Sequence, residues 1–218
     1  MTFKPPSRAQ RSMLERAQKA YSGNLDQAVE YLATRGISRE HAATAGLGVV
    51  TGEVVDHEHL TGRLAIPYMT PAGPVNMSFR CIKPHLCGAS GCPKYMQSEG
   101  LGANLYYVKA FEEAEDFICL AEGEIDALTL NICGIPALGV SGSSKWEPHW
   151  TEILDDFQYV YVMVDGDDAG EKFGTKVIKA VQHAVRIRMP PGEDVNSMYV
   201  KNGTLYLHER LSGGMREE

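Results

Sequence analysis

The chain has 218 residues, of which 44% are hydrophobic and 22% are charged, as in an ordinary globular protein. No apolar run approaches the roughly 20 residues that a membrane-spanning helix needs, and the first residues lack the apolar core of a signal peptide. These features exclude an integral membrane protein. We expect a cytosolic protein that does not contact a membrane.

The net charge of −7 argues against a surface that is basic throughout. Positive charge is nevertheless concentrated in two places: residues 1–20 carry five basic residues and one acidic residue, and residues 59–98 contain no acidic residue. The local distribution of charge, and not the net charge, decides phosphate binding. The net charge therefore does not exclude a nucleic-acid partner.

The N-terminal part of the chain predicts three helices. Apolar residues at helical spacing indicate a first helix over residues 8–21 and a second through residues 28–32, which Gly36 ends as a C-cap glycine. Ser38 is a typical N-cap for a third, short helix over residues 39–45.

Two strands are predicted next, over residues 64–68 and 75–80. The Pro- and Gly-containing segment 70–74 between them is typical of a turn, so the two strands are expected to form a hairpin. We assign residues 1–110 to a small α+β subdomain.

From about residue 111 the pattern changes to strands that alternate with helices. Nearly continuous apolar strands of this kind predict an α/β fold with a parallel sheet covered by helices on both faces. We assign residues 111–205 to this domain and 206–218 to a tail. The predicted strands cover residues 117–121, 137–140, 159–164 and 185–189, and the predicted helices cover 124–132, 147–154, 169–183 and a segment that begins near 193.

Acidic residues follow two of these strands. Glu122 and Asp126 come after the strand over 117–121, and Asp165 and Asp167 come after the strand over 159–164. Parallel strands place their carboxyl ends at one edge of the sheet, so the carboxylates are expected to converge. Crowded carboxylates repel one another, and a divalent cation keeps them ionised. The pattern predicts a Mg²⁺ or Mn²⁺ site that faces phosphate groups.

The five cysteines divide into two groups. Cys119 and Cys133 lie in apolar strand and helix patterns and are expected to be reduced core residues. The others form the motif Cys81-x₃-His85-x-Cys87-x₄-Cys92. Three thiols and an imidazole at close spacing predict a structural Zn²⁺ knuckle, although the motif lacks the usual Cys-x₂-Cys spacing.

The acidic motifs resemble the Toprim domain of primases, topoisomerases and some nucleases: Glu122-Gly-x-x-Asp126 follows one strand and Asp165-Gly-Asp167-x-Ala-Gly follows another. Further blocks resemble, in the same order, the catalytic core of bacterial and phage DnaG-type primases. They lie at residues 30–38, 46–48, 62–68, 93–96, 104–106 and 191–196, so the resemblance covers roughly residues 27–205.

The resemblance implies a DNA primase that makes short RNA primers on a single-stranded DNA template from NTPs. It implies that Asp126, Asp165 and Asp167 hold Mg²⁺ or Mn²⁺, that Glu122 acts as an acid/base or as a further ligand, and that Asp194 contributes from a third loop. The basic residues implied to line the groove for template, primer and nucleotide are Arg63, Arg80 and Lys94. The Gly/Ser segment around Lys145 is a weaker candidate for phosphate contact.

The sequence departs from the family at Asn196, where primases usually carry a second aspartate, and this weakens one metal position. It contains neither a separate zinc ribbon nor a Walker A motif. A replicative helicase or a separate zinc-domain polypeptide is therefore an expected partner, in the host cytoplasm if the chain is phage-encoded. Two alternatives remain open: a Toprim nuclease, and a non-catalytic replisome module that binds single-stranded DNA.

Overall fold

The computed structural model describes residues 5–85, 87–140 and 146–214. The chain divides between residues 102 and 103 into two compact units. This boundary lies N-terminal to the expected one at 110/111. The reason is a short strand over Leu105–Tyr106, which pairs with the sheet of the C-terminal unit and carries the connecting segment with it.

The N-terminal unit packs helices on a small antiparallel sheet. Its helices are α1 (Arg8–Ser22), a 3₁₀ turn (Leu25–Ala28), α2 (Val29–Thr34) and α3 (Arg39–Thr44). The sheet has the order β1 (Gly48–Val49), β2 (Leu64–Thr70), β3 (Gly73–Arg80) and β4 (Tyr95–Gln97), with a 3₁₀ turn at Glu58–Leu60 between β1 and β2.

The helix ends have the predicted chemistry. Ser38 Oγ accepts the backbone N–H of His41 at the start of α3. Gly36 has a φ of 67°, and the N–H of Ile37 after it donates to Leu32, as expected for a glycine that terminates a helix. The predicted hairpin is confirmed as β2 and β3, which pair antiparallel around the turn at residues 70–73.

The C-terminal unit contains five strands and six helices in its described residues. In chain order they are β5 (Leu105–Tyr106), α4 (Ala110–Glu113), β6 (Phe117–Ala121), α5 (Glu124–Ile132), β7 (Ala137–Val140), α6 (Pro148–Leu154), β8 (Tyr159–Val164), α7 (Asp168–Ala180), β9 (Ala184–Arg188), α8 (Val195–Asn202) and α9 (Thr204–Gly214). The sheet order is β5-β7-β6-β8-β9.

The predicted α/β fold is confirmed, with two corrections. The sheet is mixed and not wholly parallel, because β5 runs antiparallel to β7 while β7, β6, β8 and β9 are parallel. Residues 206–218 were expected to be a tail, but α9 extends through Gly214. Burial of Leu207 and Leu211 stabilises this helix against the unit.

Both faces of the sheet are buried. On one face Ile118 of β6 and Val162 of β8 join a cluster that includes Phe173 of α7 and Trp150 of α6. On the other face, Cys119 and Ala121 of β6 are also fully buried. Cys119 and Cys133 are buried free thiols, as predicted. Burial on both faces explains why these strands were recognisable as apolar runs.

Among the described residues, no helix is both long enough and apolar enough to cross a membrane.

Candidate active site and metal centre

The acidic residues follow three neighbouring strands. β6, β8 and β9 are adjacent and parallel, and their last residues lie nearly level, with Ala121 opposite Met163 and Val164 opposite Arg188. Glu122 follows β6, Asp165 and Asp167 follow β8, and Asp194 lies in the loop after β9. The strand order therefore brings the acidic loops to one edge of the sheet.

Two of these loops are joined through their backbones at Gly166. Its N–H donates to Glu193 O (2.8 Å), and its carbonyl accepts the N–H of Gly192 (2.7 Å). A Cβ at residue 166 would lie 1.9 Å from the Pro190 carbonyl oxygen, so only glycine permits this approach. The pair of hydrogen bonds holds the Asp165–Asp167 loop against the Asp194 loop.

Backbone N–H groups orient three of the carboxylates. Asp167 caps α7 by accepting the N–H groups of Ala169 (2.9 Å) and Gly170 (2.8 Å). Asp194 caps α8 by accepting from Ser197 N. Asp126 accepts the N–H of Asn196 across the α5–α8 contact (3.0 Å). For Asp167 and Asp194 these contacts engage the Oδ1 atom, so capping and cation binding are compatible roles for the two residues.

Asp165 lies at the electrostatic centre of the cluster. Its Oδ1 is buried and has no hydrogen-bond partner. Burial, and then repulsion from Asp126, Asp194, Glu122 and Asp167, raises the pKa of this carboxyl to about 8. Burial and the charge of Asp167 also raise the pKa of Glu122. The structure thus brings together all five predicted acidic residues.

These observations fit a bound divalent cation. The available donors are carboxylate oxygens, the ligands that Mg²⁺ and Mn²⁺ prefer, and the unpartnered Asp165 oxygen, when the carboxyl is ionised, needs a positive partner. Within the described part of the chain, however, the carboxylates do not bring three candidate ligand atoms within 4.8 Å of one another, as the Cys/His group does. The acidic edge is therefore the more open of the two sites.

Asn196, the departure from the primase pattern, has a structural role that the sequence did not reveal. Its side chain is buried, and its Nδ2 donates to Thr129 Oγ1 (2.9 Å). Thr129 in turn donates its hydroxyl proton to Ile125 O (2.7 Å). The amide therefore belongs to the packing of α8 on α5.

We expect Asn196→Asp to destabilise the metal-free protein by about 1–3 kcal/mol. The hydroxyl proton of Thr129 is already donated to Ile125, so the carboxylate oxygen that replaces Nδ2 would face the lone pairs of Thr129 Oγ1 in a buried contact. Urea denaturation in the presence of EDTA measures the difference. Unchanged stability would show that Asn196 is not committed to the α5–α8 contact.

The Cys/His group of the N-terminal unit is assembled as the motif predicted. Ligand atoms of Cys81, His85, Cys87 and Cys92 all lie within 4.8 Å of one another. Burial opposes ionisation of the Cys81 thiol, but hydrogen bonds from the Lys83 backbone and from the other members of the group lower its pKa to about 7. Such a thiol is readily available as a thiolate ligand.

The predicted basic residues occupy different environments. Arg63 and Arg80 are buried, and their expected place along the groove stays a prediction. The Arg63 guanidinium donates to Pro93 O (3.0 Å) and to Cys92 Sγ (3.2 Å). The Arg80 guanidinium lies 4.9 Å from the ring centre of Tyr95 and 5.6 Å from that of Tyr31. Lys94 is exposed, and Lys145 lies outside the described residues.

Sequence reasoning missed an arginine-lined groove of about 410 Å³ between β9 and α9. Arg186 and Arg188 both bind Glu171, and Arg188 O accepts from Arg210. The alternation Arg-x-Arg in β9 was the available signal, since residues two apart in a strand share a face.

The family model described as Toprim-like matches residues 119–199. The chain is 39% identical over 150 residues to the gene 57 protein of Mycobacterium phage D29, covering 69% of this chain and 98% of that protein. It is 32% identical over 106 residues to a DNA primase of Chlamydia muridarum (strain MoPn / Nigg), covering 46% of this chain and 18% of the primase. The chain therefore spans less than a fifth of that primase.

Solved structures show the same fold. The zinc-binding and RNA polymerase domains of the Aquifex aeolicus primase superpose with a TM-score of 0.77 at 23% identity, covering 95% of this chain and 62% of that one. A DnaG primase catalytic domain bound to single-stranded DNA superposes with a TM-score of 0.75 at 18% identity, covering 93% and 78% respectively. The architecture is that of the DnaG catalytic core.

Proposed function

Because the chain belongs to the family of the phage gene 57 protein, among Toprim proteins with a DnaG-type catalytic core, we propose that it is a DNA primase. It would synthesise short RNA primers on single-stranded DNA by metal-dependent nucleotidyl transfer. The observation that carries this proposal is the acidic edge: four carboxylates act on a fifth, that of Asp165, whose Oδ1 is buried and has no hydrogen-bond partner.

The residues of the acidic edge suit distinct tasks in this reaction. Asp126, Asp165 and Asp167 would hold Mg²⁺ or Mn²⁺, with Asp194 contributing from the loop after β9. When bound, the cation would neutralise the triphosphate and make the primer 3′-hydroxyl more acidic. Glu122, whose pKa is raised by burial and by the charge of Asp167, suits proton transfer.

The template, the NTPs and the growing primer all present phosphates, which bind basic side chains. In the N-terminal unit, Arg8, Arg16 and Lys19 of α1 are exposed, because Leu14, Ala17 and Tyr21 form the buried face of that helix. Lys94 is exposed as well. These four cations are better placed for phosphate contact than the buried Arg63 and Arg80.

Partners in the host cytoplasm would carry out two further tasks. A separate zinc-domain polypeptide would select the template, and a replicative helicase would unwind the DNA duplex. We assign no step of the transfer to the Cys/His group, whose Zn²⁺ would be structural.

A priming assay with Glu122→Gln tests the proposal. The protein is incubated with single-stranded DNA, labelled NTPs and Mg²⁺ or Mn²⁺, and the products are resolved by length. We expect metal-dependent oligoribonucleotides from the wild type and a loss of about 10²- to 10⁴-fold in Glu122→Gln, because it removes the proton-transferring group. Asp168→Asn is the matched control, since Asp168 is exposed in the first turn of α7.

The same assay separates the alternatives. DNA cleavage without NTPs, lost in Glu122→Gln, would replace the primase proposal with a Toprim nuclease. Binding of single-stranded DNA with neither synthesis nor cleavage would replace it with a non-catalytic module.

A further inference from the structure

The connection between β3 and β4 is the least regular part of the N-terminal unit. It runs from residue 81 to residue 94, and its described residues form neither helix nor strand. The strands that it joins pair directly, with Arg80 opposite Tyr95. A long irregular connection across a small sheet is costly in entropy, so a cross-link within it has a large stabilising effect.

The geometry of the Cys/His group matches a tetrahedral zinc site. For zinc–sulfur and zinc–nitrogen bonds of about 2.3 and 2.05 Å, tetrahedral geometry requires S···S separations of about 3.8 Å and S···N separations of about 3.6 Å. The Cys92–Cys81 sulfurs are 3.7 Å apart. His85 Nε2 lies 3.2 Å from Cys81 Sγ and 3.6 Å from Cys87 Sγ.

The backbone is shaped to deliver these ligands. Gly88 and Gly91 have φ values of 87° and 69°, which only glycine adopts readily, and Gly88 N donates to Cys92 O (2.8 Å). This tight turn brings Cys87 and Cys92 together. At the other end, Cys81 N donates to Lys94 O (2.9 Å) and closes the connection.

Arg63 supplies the charge that the site needs. Three thiolates, a neutral imidazole and Zn²⁺ carry a formal charge of −1, which is costly beside a buried surface. The buried Arg63 guanidinium donates to Cys92 Sγ and to Pro93 O, the carbonyl next to that ligand. Its single positive charge makes the assembly neutral.

We propose that Cys81, His85, Cys87 and Cys92 bind one structural Zn²⁺. Arg63, the residue immediately before β2, is the positioning residue that neutralises the thiolates and orients Cys92. The site fixes the 81–94 connection and with it the start of β4, where Tyr95 packs on Arg80. The proposal is independent of chemistry at the acidic edge.

Metal content of the full chain tests the ligand set. Protein purified with zinc should contain one Zn²⁺ per chain, and Cys87→Ser should contain none. Cys133→Ser removes a thiol of the C-terminal unit and should retain the ion. His85→Asn is a second ligand variant, in case Cys87→Ser fails to fold. His85 is exposed, so this substitution leaves the core unchanged, and the variant should also lose zinc. After replacement of Zn²⁺ by Co²⁺, the wild type should show thiolate-to-cobalt charge-transfer bands and tetrahedral d–d bands. Cys87→Ser and His85→Asn should show neither.

Zinc affinity, measured by chelator competition, tests Arg63. We expect Arg63→Met to weaken zinc binding by about 10- to 100-fold, as outer partners of metal ligands typically do. Arg63→Lys, which keeps the charge, should recover part of this loss. A folded wild type that binds no zinc, or unchanged metal content in both Cys87→Ser and His85→Asn, would overturn the site. Equal affinity in wild type and Arg63→Met would overturn the role of Arg63.

Discussion

Replacing Asp165 with Asn is expected to lower primer synthesis by about 10³-fold and, at the same time, to stabilise the metal-free protein. The activity falls because a central carboxylate is lost from the cation site. The stability rises because the wild-type carboxylate is half-buried, has a buried Oδ1 without a hydrogen-bond partner and is repelled by four other carboxylates. Primer yield and thermal unfolding in EDTA measure the two effects.

The stability difference should depend on pH. The folded-state pKa of Asp165, about 8, lies above its ordinary value of 3.8. The contribution of this group to stability is therefore fully present below about pH 4 and is lost as the pH rises through about 8, by at most about 1.4 kcal/mol per pH unit. The difference in unfolding free energy between Asp165→Asn and the wild type, measured as a function of pH, reports the titration of Asp165, because the histidines are the same in both proteins.

Saturating Mg²⁺ should reverse the order, stabilising the wild type more than Asp165→Asn. A variant that is less stable than wild type in EDTA at pH 8 would contradict the electrostatic description of the cluster. Wild-type levels of priming would contradict the assignment of the cation site.

Gly166→Ala is expected to cost about 3 kcal/mol or more of unfolding free energy and to abolish priming. The added methyl group would lie 1.9 Å from Pro190 O and 2.9 Å from Gly192 N. These atoms are backbone and cannot rotate away, so the hydrogen bonds that join the two acidic loops must break. Urea denaturation and the priming assay measure the effects.

Gly52→Ala is the matched control, because nothing lies within 4 Å of a Cβ at residue 52 and its φ is not in the left-handed region. We expect its stability to stay close to that of the wild type. A loss below about 1 kcal/mol in Gly166→Ala would mean that the loops can separate without consequence and that their pairing does not define the site.

The regular elements of the C-terminal unit were largely predictable. β6, α5, β7 and β8 have the predicted bounds, because strands buried on both faces and a helix buried on nearly all sides leave apolar runs in the sequence. Short edge strands were not predictable: β4 and β5 contain too few residues to show a period. α7 ends at Ala180, three residues earlier than predicted, since the chain leaves the helix at Val181 to enter β9.

The sequence predicted that the acidic residues lie close together, but it did not predict the environment of the basic residues. Acidic residues after parallel strands were expected to meet, and the structure brings them together. That Arg63 and Arg80 are buried, beside Cys92 and between tyrosines, had no local signal, because their partners are distant in sequence.

The sequence by itself determined the α/β class, the acidic residues at the strand ends and the grouping of Cys81, His85, Cys87 and Cys92, because each depends on short-range periodicity or spacing. The tertiary structure alone decided the antiparallel edge strand, the joining of the acidic loops through Gly166, the packing role of Asn196 and the burial of Arg63 against Cys92. These features depend on which distant segments share a contact, and on the desolvation that such contacts impose.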